Sequence, residues 1–219
     1  MIGRFLIVLL LAANSLAAAG FSGMIGYKND YIFRGVTQTN RKSALQGALR
    51  YGFESGFYLG AFGSNVYDEK KRAANAIQYD FSGGYLGEAG DIWFEAGAIS
   101  RNYTIDDANH IEALFAVGYD GFRLAYYDIV AADNRDREGD RYIEASVDFY
   151  EAWGVIDIGF GAGYGLPNDR EADASLDLFV SLGKTFWRKL KVGASSEIYA
   201  PNAKEFEKAR FVVFARQSF

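Results

Sequence analysis

Residues 143–149 read Ile-Glu-Ala-Ser-Val-Asp-Phe. Successive side chains of a strand point to opposite faces, so Ile143, Ala145, Val147 and Phe149 fall on one side and Glu144, Ser146 and Asp148 on the other. A period of 3.6 would mix the two classes around a helix, whereas a period of two separates them completely. The reading repeats at 174–183, where Leu176, Leu178, Val180 and Leu182 oppose Asp177 and Ser181. At 189–199, Lys191 and Glu197 share the polar face, and at 45–53 the apolar residues keep to odd numbers around Arg50.

Broken at its turn signals, the chain yields twelve such segments. They run at 21–36, 43–54, 56–67, 76–87, 91–103, 110–119, 121–131, 141–150, 154–164, 174–185, 189–199 and 207–219. Short connections at 55–56, 88–90, 120–121, 152–154 and 187–188 alternate with longer polar ones at 37–42, 68–75, 104–109, 132–140, 165–173 and 200–206. Both prolines, Pro167 and Pro201, lie in the longer set, where no ladder hydrogen bond is lost. Short turns at one end and long loops at the other predict an antiparallel up-and-down β-barrel of the transmembrane, outer-membrane kind. An even strand number places both termini at the short-turn, periplasmic end.

A soluble sandwich also alternates, with its apolar face turned inward. Three features favour the membrane version. Residues 1–19 have the plan of a cleaved signal peptide: Arg4, an apolar run from Phe5 to Ala13, and a small-residue site at Ala17-Ala18-Ala19. That apolar run is shorter than the roughly 20 residues a spanning helix needs. The domain plan is therefore a signal over 1–19 and a barrel over 20–219. Proline is absent from every predicted strand. Trp93, Trp153 and Trp187 all lie at short turns, near Tyr51, Phe53, Phe57, Tyr85, Phe94, Tyr119, Phe122, Phe149 and Phe186, as an interfacial aromatic girdle requires. Ten residues rising about 3.3 Å each, tilted by about 45°, cover roughly the thickness of the apolar band.

Composition excludes several functions. With no cysteine there is neither a disulfide framework nor a thiolate metal site, and one histidine among scattered carboxylates offers no ligand spacing, so no metal or cofactor is expected. A net charge of -5 argues against nucleic acid as a partner. His110, two residues before Glu112, would need a correctly oriented serine to form a hydrolase, and no spacing identifies one; no catalytic residue is expected. Gly159, Gly161, Gly163 and Gly165 alternate along one predicted strand without the helix that a phosphate loop requires, and predict room inside the barrel or a bend.

Three stretches carry a family resemblance: Asp30 to Gln38 (DYIFRGVTQ), Glu54 to Val66 (ESGFYLGAFGSNV) and Tyr79 to Glu88 (YDFSGGYLGE). They resemble the TorF porin family of Gram-negative outer-membrane proteins. The spacing of Asp30, Tyr31, Arg34 and Gly35 is its most specific part. The resemblance implies a porin and brings no substrate or catalytic residue with it.

The predicted lumen lining holds Lys28, Arg34, Arg50, Arg101, Arg123, Lys191, Arg210 and Arg216 against Asp30, Asp80, Glu95, Glu112, Glu144, Asp148, Asp157, Asp177 and Glu197. The bases come mostly from the first, second and last strands, and the acids from the sixth to tenth. Closure of the barrel would set a basic arc opposite an acidic one and create a field across the pore. The expected function is passive diffusion of small polar or ionic solutes. A structural or interaction barrel (adhesin or receptor) with a charge-plugged lumen and a rim hydrolase are the alternatives. Phe219, in phase with Phe211, Val213 and Ala215, resembles the terminal aromatic read by the outer-membrane assembly machinery, which with membrane lipid completes the expected partners.

Overall fold

Each predicted segment becomes a strand in this computed structural model, which describes residues 20–68, 73–105, 108–152, 155–169, 171–187 and 189–219. The strands are β1 (Gly20–Lys28), β2 (Ile32–Phe33), β3 (Val36–Thr37), β4 (Ala44–Gly52), β5 (Phe57–Asp68), β6 (Ala73–Ala89) and β7 (Ile92–Tyr103). They continue as β8 (His110–Tyr119), β9 (Phe122–Ala132), β10 (Arg141–Ala152), β11 (Ile156–Leu166), β12 (Ser175–Phe186), β13 (Leu190–Ala200) and β14 (Arg210–Ser218). β1 and β4 to β14 form a closed antiparallel barrel of twelve strands, and β2 and β3 pair only with each other. The expected signal over 1–19 lies outside the described residues, as do Asp106, Asp107, Trp153 and Arg188.

The seam pairs β1 with β14, Met24 opposite Ser218 and Lys28 opposite Phe214. Phe219 extends it: its N–H donates to the Gly23 carbonyl and its carbonyl accepts from the Gly23 N–H, both at 3.0 Å. Gly20 and Ser218 therefore lie at the end where the chain turns tightly. At one such turn Asp120 and Gly121 both take positive φ, 43° and 80°, as a two-residue hairpin turn demands.

The period of two decides which way each residue faces. Leu45, Leu49, Phe81, Phe115, Phe160, Leu178 and Leu182 lie on the exposed exterior, while Arg50, Asp80, Glu112 and Asp177 are buried inside. A surface this apolar around so charged an interior is the inverse of a soluble barrel and suits a hydrocarbon surrounding. The aromatic band at the short-turn end includes exposed Phe53, Phe57, Tyr85, Phe94, Tyr119, Phe122, Phe149, Phe186 and Trp187.

Two expectations are corrected. Trp93 is not part of the outer girdle. It shares the inward phase of Glu95 and packs against the interior cluster of Ile99, Leu114, Ala116, Ala125, Tyr127 and Tyr142, because Gly118 beside it leaves room for the indole. The first strand does not run to residue 36 either: it ends at Lys28, and the chain turns into the barrel before rejoining the wall at Ala44. The connection over 29–43 is thus longer than the nine-residue loops that the sequence reading allowed.

Candidate functional site

The stretch Asp30 to Gln38, on which the family resemblance rested, is this inward excursion. Its turn residues Arg34 and Gly35 have φ of 50° and 77°, which closes a two-residue hairpin between β2 and β3. Arg34 accepts the left-handed backbone that Gly35 adopts freely. The stem is tied locally: Asp30 accepts hydrogen bonds from the hydroxyls of Thr37 (2.6 Å) and Thr39 (3.0 Å), and the Tyr31 N–H donates to Thr39. Tyr31 packs with Ala44, Val66 and Ala76 on the β4–β6 side of the wall. Asp30 and Arg34 are therefore interior residues of a loop, not of the first barrel strand.

The tip reaches across the lumen. Arg34 donates to both carboxylate oxygens of Glu112 on β8, at 2.6 and 3.1 Å. Its guanidinium lies over the rings of Phe33, Tyr127 and Tyr142, 4.4 to 4.8 Å from their centroids. On the opposite side Arg210 of β14 donates to the Gly35 carbonyl at 3.2 Å, and Gly35 lies so close to the Tyr199 ring of β13 that a Cβ there would overlap it. β8 stands five strands from β1 by way of β4, so the hairpin is a strut between nearly opposite walls.

Glu112 also accepts from Arg101 (3.0 Å), which donates to Asp80 (2.8 Å), which accepts in turn from Gln78. None of the Glu112 side chain is exposed, and such a carboxylate needs its partners to offset desolvation. Burial opposes protonation of Arg34, but the Glu112 carboxylate outweighs it and holds the guanidinium above its ordinary pKa. His110 places Nδ1 against the Ala108 carbonyl at 3.0 Å and Nε2 3.7 Å from Glu112, so its neighbour is an acid. Among the described residues no serine lies within hydrogen-bond reach of it. Above the strut opens a cavity of about 620 Å³, lined by Arg34, His110, Arg137, Arg141 and the rings of Tyr67, Tyr103, Tyr142 and Tyr199.

Of the seventeen sequence-predicted lumen residues, Lys28, Asp30, Arg50, Asp80, Glu95, Arg101, Glu112, Arg123, Glu144, Asp157, Asp177, Lys191, Glu197 and Arg216 are buried. Arg34, Asp148 and Arg210 are half-buried. They do not form one cluster. The network just described joins Asp80, Arg101, Glu112 and Arg34 near the long loops. Toward the tight turns, Lys191 pairs with Asp157, and Arg50 lies 3.7 Å from the Tyr58 ring centroid. Lys191 and Arg216 stand directly opposite in the β13–β14 ladder, two bases on one inner face.

The run of glycines on β11 serves the neighbouring strands. Side chains at Gly161 and Gly163 would overlap the Phe179 ring and the Tyr142 hydroxyl, and one at Gly159 would meet Asp148 and Ser181. Tyr142 on β10 thereby crosses the bare strand and donates to Asp177 on β12 at 2.7 Å. A charge-based reading missed the interior tyrosines, yet their phase could have found them. Tyr142 shares the face of Glu144, and Tyr127 shares that of Arg123, to whose guanidinium it is hydrogen-bonded at 3.2 Å.

A closed ring of twelve antiparallel strands with this inside-out polarity defines the class of the porin-type outer-membrane barrels. The chain is similar to the KdgM porin, with a TM-score of 0.62 at 11% identity over 90% of this chain and 99% of that one. It is similar to KdgM porin in complex with disordered oligogalacturonate (0.59, 11%, 91% and 98%) and to the NanC porin (0.56, 8%, 90% and 98%). At such identities the likeness is one of fold. Residues 12–156 match the model of a family described as bacterial protein of unknown function (Gcw_chp), and the chain belongs to that family. No curated protein matches the sequence.

Proposed function

We propose that the protein is a narrow outer-membrane channel for passive diffusion of small polar or ionic solutes, of the TorF porin type. Residues 1–19 are its cleaved signal, both ends of the barrel are periplasmic, and Phe219 is read by the assembly machinery. The observation that carries this reading is the ionisable interior, drawn from nearly every strand, inside an apolar wall, the polarity of a barrel whose lumen meets water. The lining residues screen and orient the solute, and none performs bond chemistry. The bases Lys28, Arg50, Arg210 and Arg216 come from the adjacent strands β1, β4 and β14, whereas Glu112, Glu144, Asp148, Asp157 and Asp177 come from β8 to β12. The oligogalacturonate bound by KdgM porin, together with this basic arc, makes anionic sugars the first solutes to try.

One observation favours a second reading, a structural or interaction barrel. The strut crosses the lumen, and Arg123 and Glu112 show no exposed surface. Conductance of the refolded protein in a planar bilayer separates the two: steps above the bare-membrane background are expected, and their absence would leave the structural barrel.

A further inference from the structure

The two partners of the strut's ion pair are held unequally. Glu112 is fully buried and keeps Arg101 at 3.0 Å if Arg34 leaves. Arg34 has 18% of its side chain exposed, lines the outer cavity, and has Glu112 as its one carboxylate partner among the described residues. The hairpin differs in the same way along its length. Its stem is fixed by Asp30, Thr39 and buried Ile32, and by the Gln38 carbonyl, which accepts from the Tyr67 N–H at 2.8 Å. Its tip has two ladder pairs, the Arg34 fork with its ring contacts to Phe33, Tyr127 and Tyr142, and the contacts of Gly35 with Arg210 and Tyr199. A planar guanidinium recognises a carboxylate through two parallel hydrogen bonds, and an incoming carboxylate could match that fork as well as Glu112 does. The cavity has the volume of a small-molecule site. Its wall presents two further arginines with loose ion pairs, Arg137 to Asp140 at 4.0 Å and Arg141 to Asp128 at 3.8 Å. Asp140 and Asp173 line it as well, so it is not uniformly basic.

We propose that the Arg34–Glu112 pair is a latch, and that a small solute bearing a carboxylate opens it from the outer cavity by replacing Glu112 on Arg34 and freeing the hairpin tip. The proposal rests on the channel reading and makes the solute the key to its own constriction. Glu112 keeps its hydrogen bond from Arg101 throughout, and opening leaves it and Asp80 sharing that one guanidinium.

The test is hydrogen exchange of the amides over 31–38 in the refolded barrel in detergent. Sodium glucuronate, glucose and sodium chloride are compared at matched concentration and ionic strength. Glucuronate is expected to speed exchange of these amides by roughly tenfold or more, and glucose and chloride to leave it unchanged. Arg34→Gln should exchange fast without ligand and lose the response, while Arg34→Lys, which keeps the charge without the fork, should fall between. Exchange indifferent to glucuronate, or equal in Arg34→Gln and the parent, overturns the latch. Bilayer recordings of the same proteins keep the two readings apart. Conductance with unresponsive exchange sinks the latch alone. No conductance in the parent or in Arg34→Gln sinks the channel and the gate with it.

Discussion

Glu112 and Arg216 both lie buried in the lumen, at opposite ends. Near the long loops, two arginines grip Glu112, and its network ties the hairpin to the wall. Near the tight turns, Arg216 stands opposite Lys191, with no carboxylate within ion-pair distance among the described residues. Charge at the first end is spent on architecture. At the second, Lys191 holds Asp157 while Arg216 beside it has no ion pair among the described residues, and the field of an unpaired base in a low-dielectric wall reaches farther than that of a paired one. The same kind of residue, placed by the same alternation, therefore serves different ends according to whether a loop comes in to meet it.

The largest effect should follow from breaking the architectural end. Glu112→Ala leaves Arg34 and Arg101 without their shared carboxylate and should destabilise the barrel by about 3–5 kcal/mol. Arg216→Ala breaks no ion pair among the described residues and removes a buried base, so it should cost less than Glu112→Ala. Urea unfolding of the two variants in parallel checks the contrast, and equal losses would abolish it. Next in size, Leu178→Arg on the exterior should cost about 2–4 kcal/mol and block assembly. Asp177→Asn on the interior keeps an acceptor for the Tyr142 hydroxyl and should assemble. Heat-modifiable migration on gels reports both. Smaller again, Gly163→Leu should push Tyr142 off Asp177 and cost about 1–3 kcal/mol, read from the same urea titration.

The comparison is sharpened rather than broken by selectivity. Arg50→Glu with Arg216→Glu should make the channel more cation-selective, and Glu144→Lys with Asp148→Lys more anion-selective. Reversal potentials across a salt gradient measure both. The shifts should shrink as the Debye length falls from about 10 Å at 0.1 M to about 3 Å at 1 M salt. Selectivity unchanged in both double variants would place these residues off the permeation path.

The barrel was legible in the sequence because one local rule, alternation, sets the facing of every wall residue, and turn residues mark where each strand stops. Residues 141–150 and 174–185 needed nothing else. The same rule misled at 29–36, where Tyr31, Phe33 and Gly35 continue the alternation of β1 although the chain has left the wall. The hairpin is held by Glu112, seventy-eight residues from Arg34, and by Arg210 and Tyr199, and no local period encodes such partners. The Arg34-Gly35 pair was the available sign: it suits a two-residue turn better than the middle of a strand. Trp93 misled for a related reason, since its place near a turn suggested the interface while its phase, shared with Glu95, pointed inward.

The bare inner face of β11 has a consequence for the shape of the passage. Tyr142 and Phe179 lie over it along the wall instead of pointing toward the axis, so this arc is carpeted with rings and hydroxyls. The arc from β6 to β8 sends Asp80, Arg101 and Glu112 inward to meet the hairpin. A tube carpeted on one side and bristling on the other is expected to pass solute nearer the glycine strand than its axis. Changing the size of a residue on β11 would therefore narrow or reroute the path without altering a single charge.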